Sequence, residues 1–130
     1  MTSHHNHILL VEQSAMVGNI IVSTARQLEL PAVHLVTSIR SAQQQLQTHV
    51  YAGLIVALDD EAPALQLLDD LCTGNFKSFS DTPLAITAAS CDVPLAKRLK
   101  VLDVRRILLK PFKIRDVVST IDVLTDPAMA

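Results

Sequence analysis

Five short apolar runs, separated by longer amphipathic stretches, constrain the fold of this chain more than any other feature. The runs occupy residues 8–11, 32–36 (interrupted by His34), 54–58, 84–87 and 107–109. Each is too short for a helix and rich in Ile, Leu and Val, the pattern of strands buried on both faces. The stretches between them read as helices. Ser14 can cap one that runs to about Leu28, with Val17, Ile20, Ile21, Thr24 and Leu28 on one stripe, and Pro31 forbids its continuation. Ser38 or Ser41 opens a Gln-rich helix to about His49, with Ile39, Ala42 and Leu46 inward. Residues 61–72 place Ala64, Leu65, Leu67, Leu68 and Leu71 on one side, and Thr73-Gly74-Asn75 ends that helix. Asp92 or Pro94 starts a fourth helix to about Leu102, and a fifth runs from about Ile114 to Leu124.

Five consecutive β-α units imply an α/β fold: a doubly wound, five-stranded parallel sheet with helices on both faces, of the flavodoxin-like type. In this architecture chemistry gathers at the carboxyl ends of the strands. The positions to read are therefore Glu12-Gln13, Ala57 to Asp60, Thr87-Ala88 and Lys110-Pro111.

With 130 residues, 49% of them hydrophobic and 18% charged, the chain is expected to form one globular domain over residues 7–125, between tails at 1–6 and 126–130. No apolar run is long enough to cross a bilayer, and no signal peptide is apparent, so a cytoplasmic location is expected. Cys72 and Cys91 do not make a disulfide framework and read as reduced thiols. His4, His5 and His7 read as a frayed, solvated end. His34 and His49 show no metal-ligand spacing and read as structural.

Four segments together resemble the receiver domain of two-component response regulators, over nearly the whole chain from about His7 to Leu124. "HILLVEQS" is similar to the family's first strand, which ends in a pair of acids. "YAGLIVAL" is similar to the third, which ends in the phosphoacceptor aspartate. "TPLAITAAS" is similar to the fourth, ending in Thr or Ser, and "RRILLKPF" to the fifth, ending in Lys-Pro. The resemblance implies a site in which Mg²⁺, a lysine and a hydroxyl balance charge on a phosphoryl group carried by the aspartate.

Matched residue by residue, that site is incomplete. Glu12 fits the first acid position, but Gln13 brings an amide to the second. The register of "YAGLIVAL" puts Ala57 at the acceptor, and an alanine methyl holds no nucleophile. Ala88 falls at the hydroxyl position, with Thr87 one residue earlier. Lys110 fits the lysine, with Glu12 its natural partner, and Pro111 is expected in the cis form. Ile107 stands where many receivers carry an aromatic. A register shifted by two residues would instead make Asp59 the acceptor, with Mg²⁺ held weakly by Glu12 and Asp60. Against that, Asp59, Asp60 and Glu61 are well placed to stabilise the start of the third helix.

Charge is segregated along the chain. Residues 97–115 hold eight basic side chains (Lys97, Arg98, Lys100, Arg105, Arg106, Lys110, Lys113 and Arg115) against Asp103 alone. In the family, the surface formed by the fourth helix, fifth strand and fifth helix is where copies dimerise or output partners dock. Nucleic acid is not expected there: with no Trp, one Tyr and three Phe, stacking platforms are scarce. The chain is thus expected to be a degenerate receiver: no enzyme, no cofactor, and a phosphorylation-independent module. Its expected protein partner, a histidine kinase or output protein, would be met through Lys97, Arg98, Lys100, Arg105, Arg106, Ile107, Lys113 and Arg115.

Overall fold

The computed structural model describes residues 4–76 and 81–125, with side chains from residue 7 onward. Five strands alternate with five helices: β1 (His4–Val11), α1 (Ala15–Gln27), β2 (Val33–Val36), α2 (Ile39–Thr48), β3 (Tyr51–Ala57), α3 (Glu61–Cys72), β4 (Leu84–Ala88), α4 (Val93–Val101), β5 (Val104–Leu109) and α5 (Ile114–Thr125). The strands form one parallel sheet in the order β2-β1-β3-β4-β5. This is the doubly wound α/β architecture expected from the sequence.

Alternation along the strands divides the core into two layers. Leu9, Val11, Leu54, Val56, Leu84 and Ile86 pack against Leu46, Leu67, Leu68, Leu71 and Leu99 from α2, α3 and α4. Ile8, Leu10, Ile55, Ala85 and Leu108 point the other way, onto Ile21, Val117, Ile121 and Leu124 of α1 and α5. On this second side α1 lies close to β2. A Cβ built on Gly18 would sit 2.5 Å from Leu35 Cδ1, so only glycine fits without displacing Leu35.

Helix starts follow the polar signals in the sequence. Ser14 Oγ accepts from Val17 N–H, Ser38 Oγ from Ser41 N–H, and Asp92 Oδ1 from Leu95 N–H. Gly74, at a φ of +80°, ends α3 in the left-handed conformation, and Asn75 N–H returns to Asp70 O.

Three strands start before their apolar runs do. β3 starts at Tyr51 and β5 at Val104, where Arg105 and Arg106 on the sheet's edge interrupt the hydrophobic pattern without stopping the strand. β1 starts at His4, so residues 4–6 belong to the strand rather than to a tail. Backbone pairing of His4 with Tyr51, beyond a register shift, accounts for that extension where apolar burial gives no signal. The expected tail at 126–130 lies outside the described residues. Among those described, no helix is long and apolar enough to cross a membrane.

Candidate functional site

The carboxyl end of the sheet brings together the residues singled out by strand position. Glu12 follows β1, Ala57 ends β3, Thr87 and Ala88 close β4, and Lys110 follows β5. The pairings Val11 with Val56, Ala57 with Thr87 and Ala88 with Leu109 set these ends on adjacent rungs.

Lys110 is the hub. Its Nζ donates to Glu12 Oε1 at 3.0 Å and to Asp59 Oδ2 at 2.9 Å. Glu12 is buried, and its other oxygen accepts the Ser14 backbone N–H at 2.9 Å. Burial acts to lower the Lys110 pKa, but the bonds to Asp59 and Glu12 outweigh it and hold the ammonium above its ordinary value. Lys110 is therefore charged throughout the physiological range and carries two carboxylates. The Lys110–Pro111 peptide bond is cis, as the sequence suggested.

Ala57 is buried, and its methyl offers nothing that can attack an electrophile. Beside it on β4, the Thr87 hydroxyl is buried without a hydrogen-bond partner among the described residues, and so is Gln13 Oε1 after β1. Ala88 packs into the opposite core layer. A polar recess of about 200 Å³, lined by Asp59, Glu61, Ala89 and Ser90, adjoins this group. An apolar cleft of about 520 Å³, lined by Val17, Ile20, Phe112 and Ile114, lies between α1 and the β5–α5 connection.

A divalent cation fits this donor set poorly. Both Glu12 oxygens are engaged, Asp59 is drawn to the lysine, and position 57 supplies no side-chain oxygen. Gln13 Oε1 is a neutral donor standing alone. Among the described residues no three His, Cys, Asp or Glu side chains are arranged to hold a metal ion.

Two expectations from the sequence need correction. The acidic trio does not cap α3 by side-chain hydrogen bonds: Asp60 occupies the cap position without one, and Asp59 turns to Lys110. Asp60, at the cap position, and Glu61, in the first turn, are still placed to act on the helix dipole, as expected. No periodicity marks the direction of a loop carboxylate, so this role of Asp59 could not be read from its neighbours.

The basic stretch, moreover, is not one continuous patch. Arg98 pairs with Asp69 of α3 at 2.6 Å, Arg106 bonds Ser119 Oγ on α5 at 3.2 Å, and Lys110 serves the site. Helical and strand periodicity send neighbours in sequence to different faces. Lys97 and Lys100 remain on the outer face of α4 with Val93 (66% exposed) and Val101 (86%), and Lys113 and Arg115 open α5. On β5, Ile107 and Leu109 are exposed at 38% and 52%.

No family model matches the sequence, and no curated protein matches it. Solved structures do. The Francisella response regulator 1452 receiver domain superposes with a TM-score of 0.80 at 17% identity, covering 95% of this chain and 99% of the other. The chemotaxis protein CheY4 of Vibrio cholerae gives 0.79 at 14% identity, over 92% and 98%. The fold is that of a receiver domain. A response regulator receiver protein from Pseudoalteromonas atlantica has the same arrangement, with a TM-score of 0.74 at 20% identity over 94% and 98%. At these identities the likeness establishes the receiver fold, and the chemistry has to be argued from the residues.

Proposed function

We propose that this chain is a degenerate receiver in two-component signalling: a cytoplasmic protein-interaction module whose output does not depend on aspartyl phosphate. The observation that carries the reading is Ala57. It ends β3, opposite Glu12 and beside Thr87, with Lys110 across the same end of the sheet. A receiver needs its carboxylate at that strand end, and the carboxylate bonded to Lys110 comes from the following loop instead. The protein acts by binding rather than as an enzyme and takes no cofactor.

Its partner, a kinase or an output protein, is met through α4, β5 and α5. The exposed Val93, Val101, Ile107 and Leu109 supply apolar contact there. Lys97, Lys100, Lys113 and Arg115 favour an acidic partner, and association should weaken with salt.

One observation supports a second reading, an atypical active receiver. Asp59 Oδ2 lies 2.9 Å from Lys110 Nζ, so Asp59 is the carboxylate already next to the lysine. It would attack a phosphoryl donor and expel acetate from acetyl phosphate, in a Mg²⁺-dependent way. Incubation with acetyl phosphate and Mg²⁺, followed by intact mass measurement, separates the two. The degenerate receiver gains no phosphoryl mass. An adduct that disappears in Asp59→Asn overturns it in favour of the second reading.

A further inference from the structure

Strand β5 is an edge of the sheet: among the described residues it pairs with β4 alone. Its two halves are built differently. Val104 pairs with Leu84 and Arg106 with Ala85, so Arg105 is an extra residue that shifts the register, and both arginines charge this half. Such irregularities and charged side chains keep an edge from pairing with another chain. Beyond them Ile107, Leu108 and Leu109 run in regular register with Ile86, Thr87 and Ala88, with no charge among them. The bond from Lys110 N–H to Ala88 O fixes the direction of the backbone. Leu108 and Lys110 face β4, so the N–H and C=O groups of Ile107 and Leu109 point outward from the sheet. The side chains of these two residues are exposed as well. At the opposite edge, β2 keeps its side chains buried or half-buried.

We propose that the second half of β5 receives an extended segment of the partner as an added strand, one in which apolar and acidic residues alternate. This rests on the partner surface proposed above and adds the mode of binding and the kind of segment. Ile107 and Leu109 together offer about four main-chain hydrogen bonds to such a strand. Main-chain bonding supplies affinity, and the side chains on either face of the edge supply selectivity.

The two faces differ in chemistry. Leu108 packs into the layer under α1 and α5, so its neighbours Ile107 and Leu109 lie on the α4 side, where Val93 and Val101 are also exposed. Arg106 lies on the α5 side and donates to Ser119 Oγ, a neutral partner. Among the described residues no ion pair neutralises it. A strand laid along this edge therefore meets apolar side chains on one face and a cation on the other, which a period of two matches. Neither α4 nor β5 carries a carboxylate of its own. Two copies of β5 paired edge to edge would bring the arginines of both to one seam, so charge favours an acidic segment over a second copy.

The probe is a capped peptide of alternating Val and Glu, about eight residues long, added to the intact chain and followed by NMR. At saturation the Ile107 and Leu109 amides should exchange about tenfold more slowly, while those of Leu108 and Lys110, already bonded to β4, change little. N-methylation of alternate peptide amides should weaken binding about tenfold for one set only: the Val amides in an antiparallel complex, the Glu amides in a parallel one. A Val-Lys peptide should bind about tenfold more weakly than Val-Glu. Ile107→Pro removes an N–H that faces away from the sheet, which an edge strand tolerates, and should weaken binding to the same degree. Equal effects of the two methylations, or slowed exchange that misses Ile107 and Leu109, overturn strand addition, even where an acidic partner still binds this surface. Protection of the two amides that rises with protein concentration alone overturns the acidic segment in favour of a second copy. No binding at millimolar peptide overturns the proposal, while the acetyl phosphate measurement, which does not involve β5, still decides the degenerate reading.

Discussion

Ala57→Asp puts a carboxylate where the receiver frame calls for one, and the surroundings predict its cost. Position 57 is buried, and the pairing of Val11 with Val56 sets Glu12 opposite it on the neighbouring strand. Adjacent strands are about 5 Å apart, and two like charges at that distance repel by about 3 kcal/mol at an effective dielectric of 20. Lys110 cannot relieve this freely, because Glu12 and Asp59 already share its ammonium. The variant should therefore be less stable by about 2–4 kcal/mol, a fall in Tm of roughly 6–20 °C for a chain of this size. A divalent cation would bridge the added carboxylate and Glu12. Millimolar Mg²⁺ should return at least half of the loss, while the wild type gains nothing beyond a sodium control of equal ionic strength. Differential scanning calorimetry with and without Mg²⁺ reads both effects. The reasoning fails if the variant is as stable as the wild type without Mg²⁺, or if Mg²⁺ raises both melting temperatures equally.

Two further substitutions probe the same site. Glu12→Ala strands a part-buried backbone N–H at Ser14 and removes the buried partner of Lys110, and should cost about 2–4 kcal/mol by urea denaturation. Glu12→Gln keeps an acceptor for Ser14 and should cost less than half as much. Thr87→Val replaces a buried hydroxyl that has no partner with a methyl of similar shape, and should be neutral or stabilising by about 1 kcal/mol. A clear loss of stability would mean that the hydroxyl has a partner in solution.

The frame was legible because burial writes itself into sequence with a period. Both faces of β1, β3 and β4 are covered, so their apolar runs are continuous, and Ser14, Ser38 and Asp92 mark helix starts by a chemistry local to a few residues. The edge strand β5 was read short because half of it carries Arg105 and Arg106, and the start of β1 was missed because only its backbone pairing holds it. At the site, the Glu12–Lys110 pair was accessible, since both residues sit at ends of strands whose order the fold class dictates. Asp59 was not. It lies in the turn before α3, where no repeat constrains the side chain, and its role depends on an ion 51 positions away. The basic stretch misled for a related reason: proximity along a helix and an edge strand says little about shared direction.

The bond from Asp59 to Lys110 bears on how such a receiver can be controlled. In the proposed reading the lysine's counter-charge belongs to the chain itself, two residues beyond the strand end, and is present whatever the phosphorylation state of the cell. Lys110 and the connection to α5 are then biased toward one arrangement by a tethered carboxylate rather than by a transferred group. In that reading covalent switching is lost, but response is not. A protein with two conformations still shifts when a ligand prefers one, by no more than the difference in its affinities. In that reading the difference would be supplied at the proposed partner surface, where Ile107 and Leu109 of β5 lead directly into Lys110. Strand β5 would then connect the proposed partner's contacts to the ion pairs at the end of the sheet, and binding at one should be felt at the other.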